Sequence, residues 1–128
     1  GQTPRAGEVV QVGETQSLIT CDAPSAAILE RIARGELRLT GPVWGRGQSL
    51  SAGAVRELEQ AALAEHAVWC RGLEQAGLQQ ERRALCLRPQ GLEWTLDEKQ
   101  RTLSLAFHLP AGAYATTVLR EVVASKAV

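Results

Sequence analysis

The sequence predicts an α+β fold: helices with short strands, then an antiparallel strand meander ending in a C-terminal helix. Three observations carry this. Apolar residues recur at helical spacing at Ile28, Leu29 and Ile32, and again through Val55, Leu58, Ala62 and Leu63. From Arg83 the period changes to two, and it places Leu103, Leu105 and Phe107 on one face of a strand. Helical spacing then returns at Tyr114, Val118 and Val122.

The elements follow in order. Glu8–Val12 and Ser17–Thr20 are alternating runs split by Gly13-Glu14, which reads as a hairpin. Cys21-Asp22-Ala23-Pro24 opens a helix, with Asp22 as the cap, Pro24 tolerated in the first turn and Gly35 as the stop. A strand over Leu37–Thr40 leads into a glycine-rich loop from Gly41 to Gly47. Ser51 caps a second helical stretch that breaks near His66 and stops at Gly77. Its Glu57, Glu59, Glu65 and Glu74 make it a poor surface for a polyanion, so it is expected to support the core. Ala84–Arg88, Leu92–Leu96 and Thr102–His108 read as the three meander strands, with turns at Pro89-Gln90-Gly91 and Asp97-Glu98-Lys99-Gln100. Pro110 and Gly112 make the last turn, and Tyr114 falls in the first turn of the helix beyond it.

Composition narrows the function classes. A chain of 128 residues with 45% hydrophobic and 22% charged residues suits one soluble domain with a modest core. No apolar run reaches the roughly 20 residues that span a bilayer, so a cytoplasmic protein is expected. The Gly-Gln-Thr-Pro start without Met suggests a fragment or a processed product. Cys21, Cys70 and Cys86 lack metal-ligand spacing, and His66 and His108 stand apart, so no metal is expected. Neither a P-loop, nor a dinucleotide fingerprint, nor a Gly-x-Ser-x-Gly elbow occurs.

Fourteen basic residues balance fourteen acidic ones, yet twelve of the cations are Arg, which suits planar contacts to phosphate or base. Arg31, Arg34, Arg38 and Arg46 face a single acid, Glu36. This segment is either an RNA-facing patch or a solvated face. Tyr114 also has two readings. At the exit of a strand it can stack on a ligand, or it can cap the core.

Three blocks carry a family resemblance, in order along the chain: Leu39-Thr40-Gly41-Pro42-Val43-Trp44-Gly45-Arg46-Gly47, Ala76-Gly77-Leu78-Gln79-Gln80-Glu81-Arg82-Arg83-Ala84-Leu85, and Leu109-Pro110-Ala111-Gly112-Ala113-Tyr114-Ala115-Thr116-Thr117-Val118-Leu119-Arg120-Glu121. Together they resemble the later part of the TruD family of tRNA pseudouridine synthases. The resemblance implies that residues 1–100 belong to the family's insertion domain and 101–128 to the last strand and helix of its catalytic domain. Family members isomerise a uridine in tRNA, at position thirteen in the bacterial enzymes, with an essential aspartate and no cofactor. That aspartate lies in a Gly-x-Lys-Asp motif nearer the N-terminus. This chain has only Asp22 and Asp97, neither within such a motif, and it lacks the family's Asn-x-Arg-Phe-Gly segment. The isolated chain is therefore expected to be inactive. The resemblance makes Tyr114, with Gly112 in the same turn, a partner of the target base, and it sets Arg46 and Arg38 towards RNA. The implied partners are tRNA and either the missing N-terminal catalytic half or a second copy of the chain. The alternative is a non-catalytic RNA- or protein-binding module on the same scaffold.

Overall fold

The computed structural model describes residues 3–124. The elements run β1 (Glu8–Val12), β2 (Leu18–Cys21), α1 (Ala26–Ala33), β3 (Leu37–Val43), α2 (Gly53–Ala64), α3 (Ala67–Gln75), β4 (Glu81–Ala84), β5 (Gln90–Asp97), β6 (Thr102–His108) and α4 (Ala115–Val122). This is the α+β class the pattern predicts. The chain divides into two compact units, one ending at Cys86 and the other beginning at Leu87.

The first unit is built on an antiparallel sheet in the order β2-β1-β3-β4. The β1–β2 hairpin forms as expected, with Val10 opposite Ile19. Val10, Ile32 and Leu37 are buried together, with Val12, Ile28 and Leu39 packed around them, so α1 covers the sheet with the stripe its sequence presents. The helix starts later than Asp22 implies. Ser25 is the N-cap, and its Oγ accepts from the Ile28 N–H at 3.3 Å. Its end is the expected glycine stop. Gly35 has φ of 78°, its N–H donates to the Ile32 carbonyl, and the Glu36 N–H reaches back to the Arg31 carbonyl. This pair of bonds satisfies carbonyls the helix leaves open and favours glycine for the left-handed turn.

β3 extends through Gly41 and Pro42, residues that read as loop in the sequence. Its pairing explains why. Leu37–Leu39 lie opposite β1, whereas Thr40–Val43 lie opposite β4. The second half is laddered on one side only, where strand proline is tolerated. The strand expected over Ala84–Arg88 is not formed there; the strand in this region is β4, earlier at Glu81–Ala84, and it joins this sheet instead of opening a meander.

Helices α2 and α3 are separated at Glu65 and His66, and α3 ends before Gly77, as the spacing predicts. Ser51 does not cap α2. The N-cap is Ala52, without a side-chain bond, while Ser51 is wholly buried with its hydroxyl engaged elsewhere.

In the second unit β5 and β6 form a two-stranded hairpin. Gln90 and Gly91, expected as a turn, lie in β5 beside an irregularity between Gln90 and Glu93. The turn at the far end is as expected: Asp97 Oδ1 accepts from the Gln100 N–H at 2.9 Å. α4 follows, with Tyr114 as its N-cap, one residue ahead of the first turn. No described residue of this unit is fully buried. A hairpin and one short helix have too little surface to enclose a core.

Candidate nucleic-acid interface

The expected RNA-facing residues fall into the two units, Arg38 and Arg46 in the first, Gly112 and Tyr114 in the second.

Arg38, on β3, is half-buried and donates from Nε at 3.0 Å, and also from Nη2, to the Gly13 carbonyl. It thereby ties the β1–β2 turn to the sheet. Arg31 and Arg34 both reach the Glu36 carboxylate, at 3.3 and 2.9 Å. These are exposed pairs of small energetic weight.

Arg46 is exposed, and its backbone is stitched into place. Its N–H donates to the Leu78 carbonyl at 2.6 Å, and its own carbonyl accepts from Gln80 N–H at 2.8 Å. Its Nε donates to the Glu74 carbonyl, near the end of α3. Next to it, Gly45 lies so close to the Gln79 backbone that a Cβ would overlap it, so the approach requires glycine. Trp44 is fixed as well, its Nε1–H donating to Glu74 Oε1 at 2.8 Å. The loop after β3 is therefore held rigidly, with one arginine carried outward.

Tyr114 ends the turn that leaves β6. The residue is 68% exposed. Gly112, two residues earlier, has φ of 84° and open space around its Cα. The core-cap reading of Tyr114 finds no support in this burial.

One ionic network was not legible in the sequence. Arg82 on β4 and Glu59 on α2 form a bidentate pair, with Nη2 to Oε1 at 2.8 Å and Nη1 to Oε2 at 3.0 Å. The Arg82 and Glu59 side chains are only 3% and 16% exposed. Arg82 also donates to Thr40, from Nε to Oγ1 at 3.0 Å and from Nη2 to the carbonyl at 2.9 Å. Thr40 Oγ1 donates in turn to the Val9 carbonyl at 2.7 Å. Ser51 Oγ donates to Glu59 Oε2 at 2.7 Å, with Ser49 Oγ 2.7 Å from Ser51 Oγ. Burial alone would raise the Glu59 pKa, but the hydrogen bonds from Arg82 and Ser51 and the arginine charge together hold it below its ordinary 4.5. Such a carboxylate stays ionised at neutral pH and holds no proton to donate. Its work is structural.

The sign of this shift sets an acid response. A carboxylate with a lowered folded pKa adds stability above its unfolded value, and that contribution is lost as pH falls through the folded value. Melting temperature should therefore drop as pH falls below about 4.5, and Glu59→Gln, less stable at neutral pH, should show a flatter profile there. Parallel thermal melts of the two proteins across that range check this; identical slopes would rule it out.

Among the described residues no group of three His, Cys, Asp or Glu side chains could hold a metal ion. Cys21 and Cys70 are buried thiols. No helix of the described residues is long and apolar enough to cross a membrane. Neither Asp22 nor Asp97 stands in a nucleophile's setting: Asp97 holds the hairpin turn, and Asp22 lies in an exposed bend.

Comparison with known proteins defines the class first. Residues 2–122 match the family model of tRNA pseudouridine synthase D (TruD), a span that includes the Trp44 loop, β4 and the Tyr114 turn. The chain belongs to the TruD family. It is 46% identical over 116 residues to the tRNA pseudouridine synthase D of Aeromonas salmonicida, an alignment covering 91% of this chain and 32% of that protein. With the enzyme of the same name from Nitrosococcus oceani it shares 45% identity over 120 residues, covering 94% of this chain and 34% of the other. The Shewanella oneidensis protein is 41% identical over 123 residues. The chain thus spans about a third of the length of the curated relatives it matches.

Proposed function

We propose that this chain is the later part of a tRNA pseudouridine synthase that isomerises uridine at position thirteen of tRNA, and that it supplies contacts to RNA while the nucleophilic aspartate lies elsewhere in the protein. The observation that carries this is Tyr114. An exposed aromatic ring stands at a strand-to-helix turn, within the stretch that resembles the family's signature. In this reading Tyr114 stacks on the target base or its neighbour, Gly112 leaves room beside it, and Arg46 meets the phosphate backbone, while Arg38, engaged with the Gly13 carbonyl, stays with the scaffold. Residues 1–100 belong to the insertion domain and 101–128 to the catalytic domain; the compact units divide elsewhere, at Leu87, which keeps β5 with β6. A cytoplasmic location and a reaction without cofactor are part of the same reading.

The exposed apolar residues of the second unit support a longer protein or a second copy as partner. Leu92, Trp94 and Leu96 on β5 and Leu119 and Val122 on α4 are all open in this chain. Apolar surface of this extent ordinarily marks a contact. The competing reading is a non-catalytic RNA- or protein-binding module, favoured by the absence of a Gly-x-Lys-Asp motif from the sequence.

One experiment tests the RNA assignment. The isolated chain is incubated with unmodified tRNA transcript, pseudouridine is mapped, and affinity is followed against salt. We expect no turnover, because the nucleophile motif is missing, and binding that weakens as salt rises. Arg46→Ala should weaken binding and reduce the salt slope by about one, roughly one per phosphate contact. Turnover at the family's site would overturn the assignment of the nucleophile, and an unchanged slope would leave Arg46 as scaffold as well.

A further inference from the structure

Beside the Glu59–Arg82 pair the first unit contains a cavity of about 300 Å³. It is lined by Trp44, Gln48, Gln60, Gln80, Arg56 and Glu59, among others. All belong to one compact unit. We infer that this cavity is a nucleobase subsite that takes one unstacked base of a bound RNA strand, distinct from the position of the target base at Tyr114. The inference rests on the RNA-contact reading given above.

Its chemistry favours a neutral planar ligand over a phosphate. Glu59 is already neutralised by Arg82, so its carboxylate adds no net charge to the cavity. Arg56 spends Nε on the Ser51 carbonyl at 2.7 Å and Nη2 on the Ser49 carbonyl at 3.3 Å, so it is a poor anion clamp. Each of the three carboxamides offers both a donor and an acceptor. That set matches the mixed edge of a nucleobase and gains nothing special from a dianion. Trp44 adds an aromatic surface held in a fixed position by its bond to Glu74. Single-stranded RNA is recognised by this combination of stacking and hydrogen bonding to base edges. The volume lies at the small end of ligand pockets, which run from roughly 300 to 1,000 Å³, and suits one nucleoside.

The test uses the whole chain with unmodified tRNA transcript as probe. Trp69 and Trp94 are both largely exposed, at 75% and 67%. In a Trp69→Phe, Trp94→Phe background the emission reports Trp44 alone, and transcript should quench it along the binding isotherm. Gln60→Ala with Gln80→Ala should weaken transcript binding about tenfold, the scale of one lost base contact. The dependence of log affinity on log salt should keep its slope, because base contacts release no counterions. Saturable binding without Trp44 quenching, or with unchanged affinity in the glutamine variant, overturns the subsite and leaves the RNA reading standing. A flattened slope reassigns the cavity to phosphate and overturns it too. Failure of the chain to bind transcript at all overturns the RNA reading and this inference with it. Should the glutamine variant lower the melting temperature, the quenching experiment, made without changing the glutamines, decides the matter.

Discussion

Arg82→Ala should be the most destabilising single change in the first unit. It leaves Glu59, mostly buried, without its bidentate partner, and Thr40 without two donors. Removing one member of a buried ion pair costs about 3–5 kcal/mol, because the remaining charge stays desolvated. Glu59 keeps some solvent access and its bond to Ser51, so the lower end of that range applies. In a domain of this size each kcal/mol lowers the melting temperature by about 4–8 °C, so a fall of at least about 12 °C is expected by calorimetry. Arg82→Met with Glu59→Leu removes both charges at once and should recover much of the loss, since apolar replacement of a buried pair is often close to neutral. A single variant that melts within a few degrees of the parent would show that the pair contributes little.

The largest effect on activity should come from Tyr114, measured in an active synthase that carries this chain. Stacking needs the ring and not the hydroxyl, so Tyr114→Phe should keep most of the single-turnover rate. Tyr114→Ala should lose about 1–3 kcal/mol of stacking, roughly ten- to a hundredfold in rate. The structure sharpens the control. The ring is largely exposed and makes no capping bond, so its removal leaves no cavity in this chain. In the isolated chain the Ala variant should therefore change stability by less than about 0.5 kcal/mol. A rate loss at unchanged melting temperature would place Tyr114 on the substrate. A loss of stability matching the loss of rate would instead return it to packing, and a stable variant with full rate would remove it from the site.

Local patterning made much of this fold readable in the sequence. The stripe of Ile28 and Ile32, the break near His66 and the glycine stops at Gly35 and Gly77 depend on neighbours within a turn or two, and each appears in the structure. What failed depended on distant partners. Ser51 has the composition of an N-cap, but the Glu59 carboxylate claims its hydroxyl. Gly41-Pro42 has the composition of a loop, yet a strand arriving from much later in the chain pairs with it. The period of two sets the strand at Ala84–Arg88 beside its sequence neighbours, because nothing local shows that Glu81–Ala84 pairs with β3. The Glu59–Arg82 pair stayed hidden for the same reason: its members lie 23 residues apart and meet only once the sheet is in register. As for the site, the sequence singled out Arg46 and Tyr114, but Arg38 is committed to Gly13 in a way that no spacing reveals.

The divided pairing of β3 also bears on the order of assembly. β1, β2, α1 and the first half of β3 are closer in sequence, their widest strand pairing, Val10 with Leu39, spanning 29 residues. The second half of β3 must wait for β4, which returns only after both helices α2 and α3; Thr40 and Arg82 are 42 residues apart. Closing a longer loop costs more entropy and rewards the chain later. Until that closure Glu59 remains hydrated, so its burial and its neutralisation fall in one step. The late strand thus acts as a latch. On this logic the stability lost in Arg82→Ala appears mainly as faster unfolding, with the folding rate of the early hairpin-and-helix layer little changed.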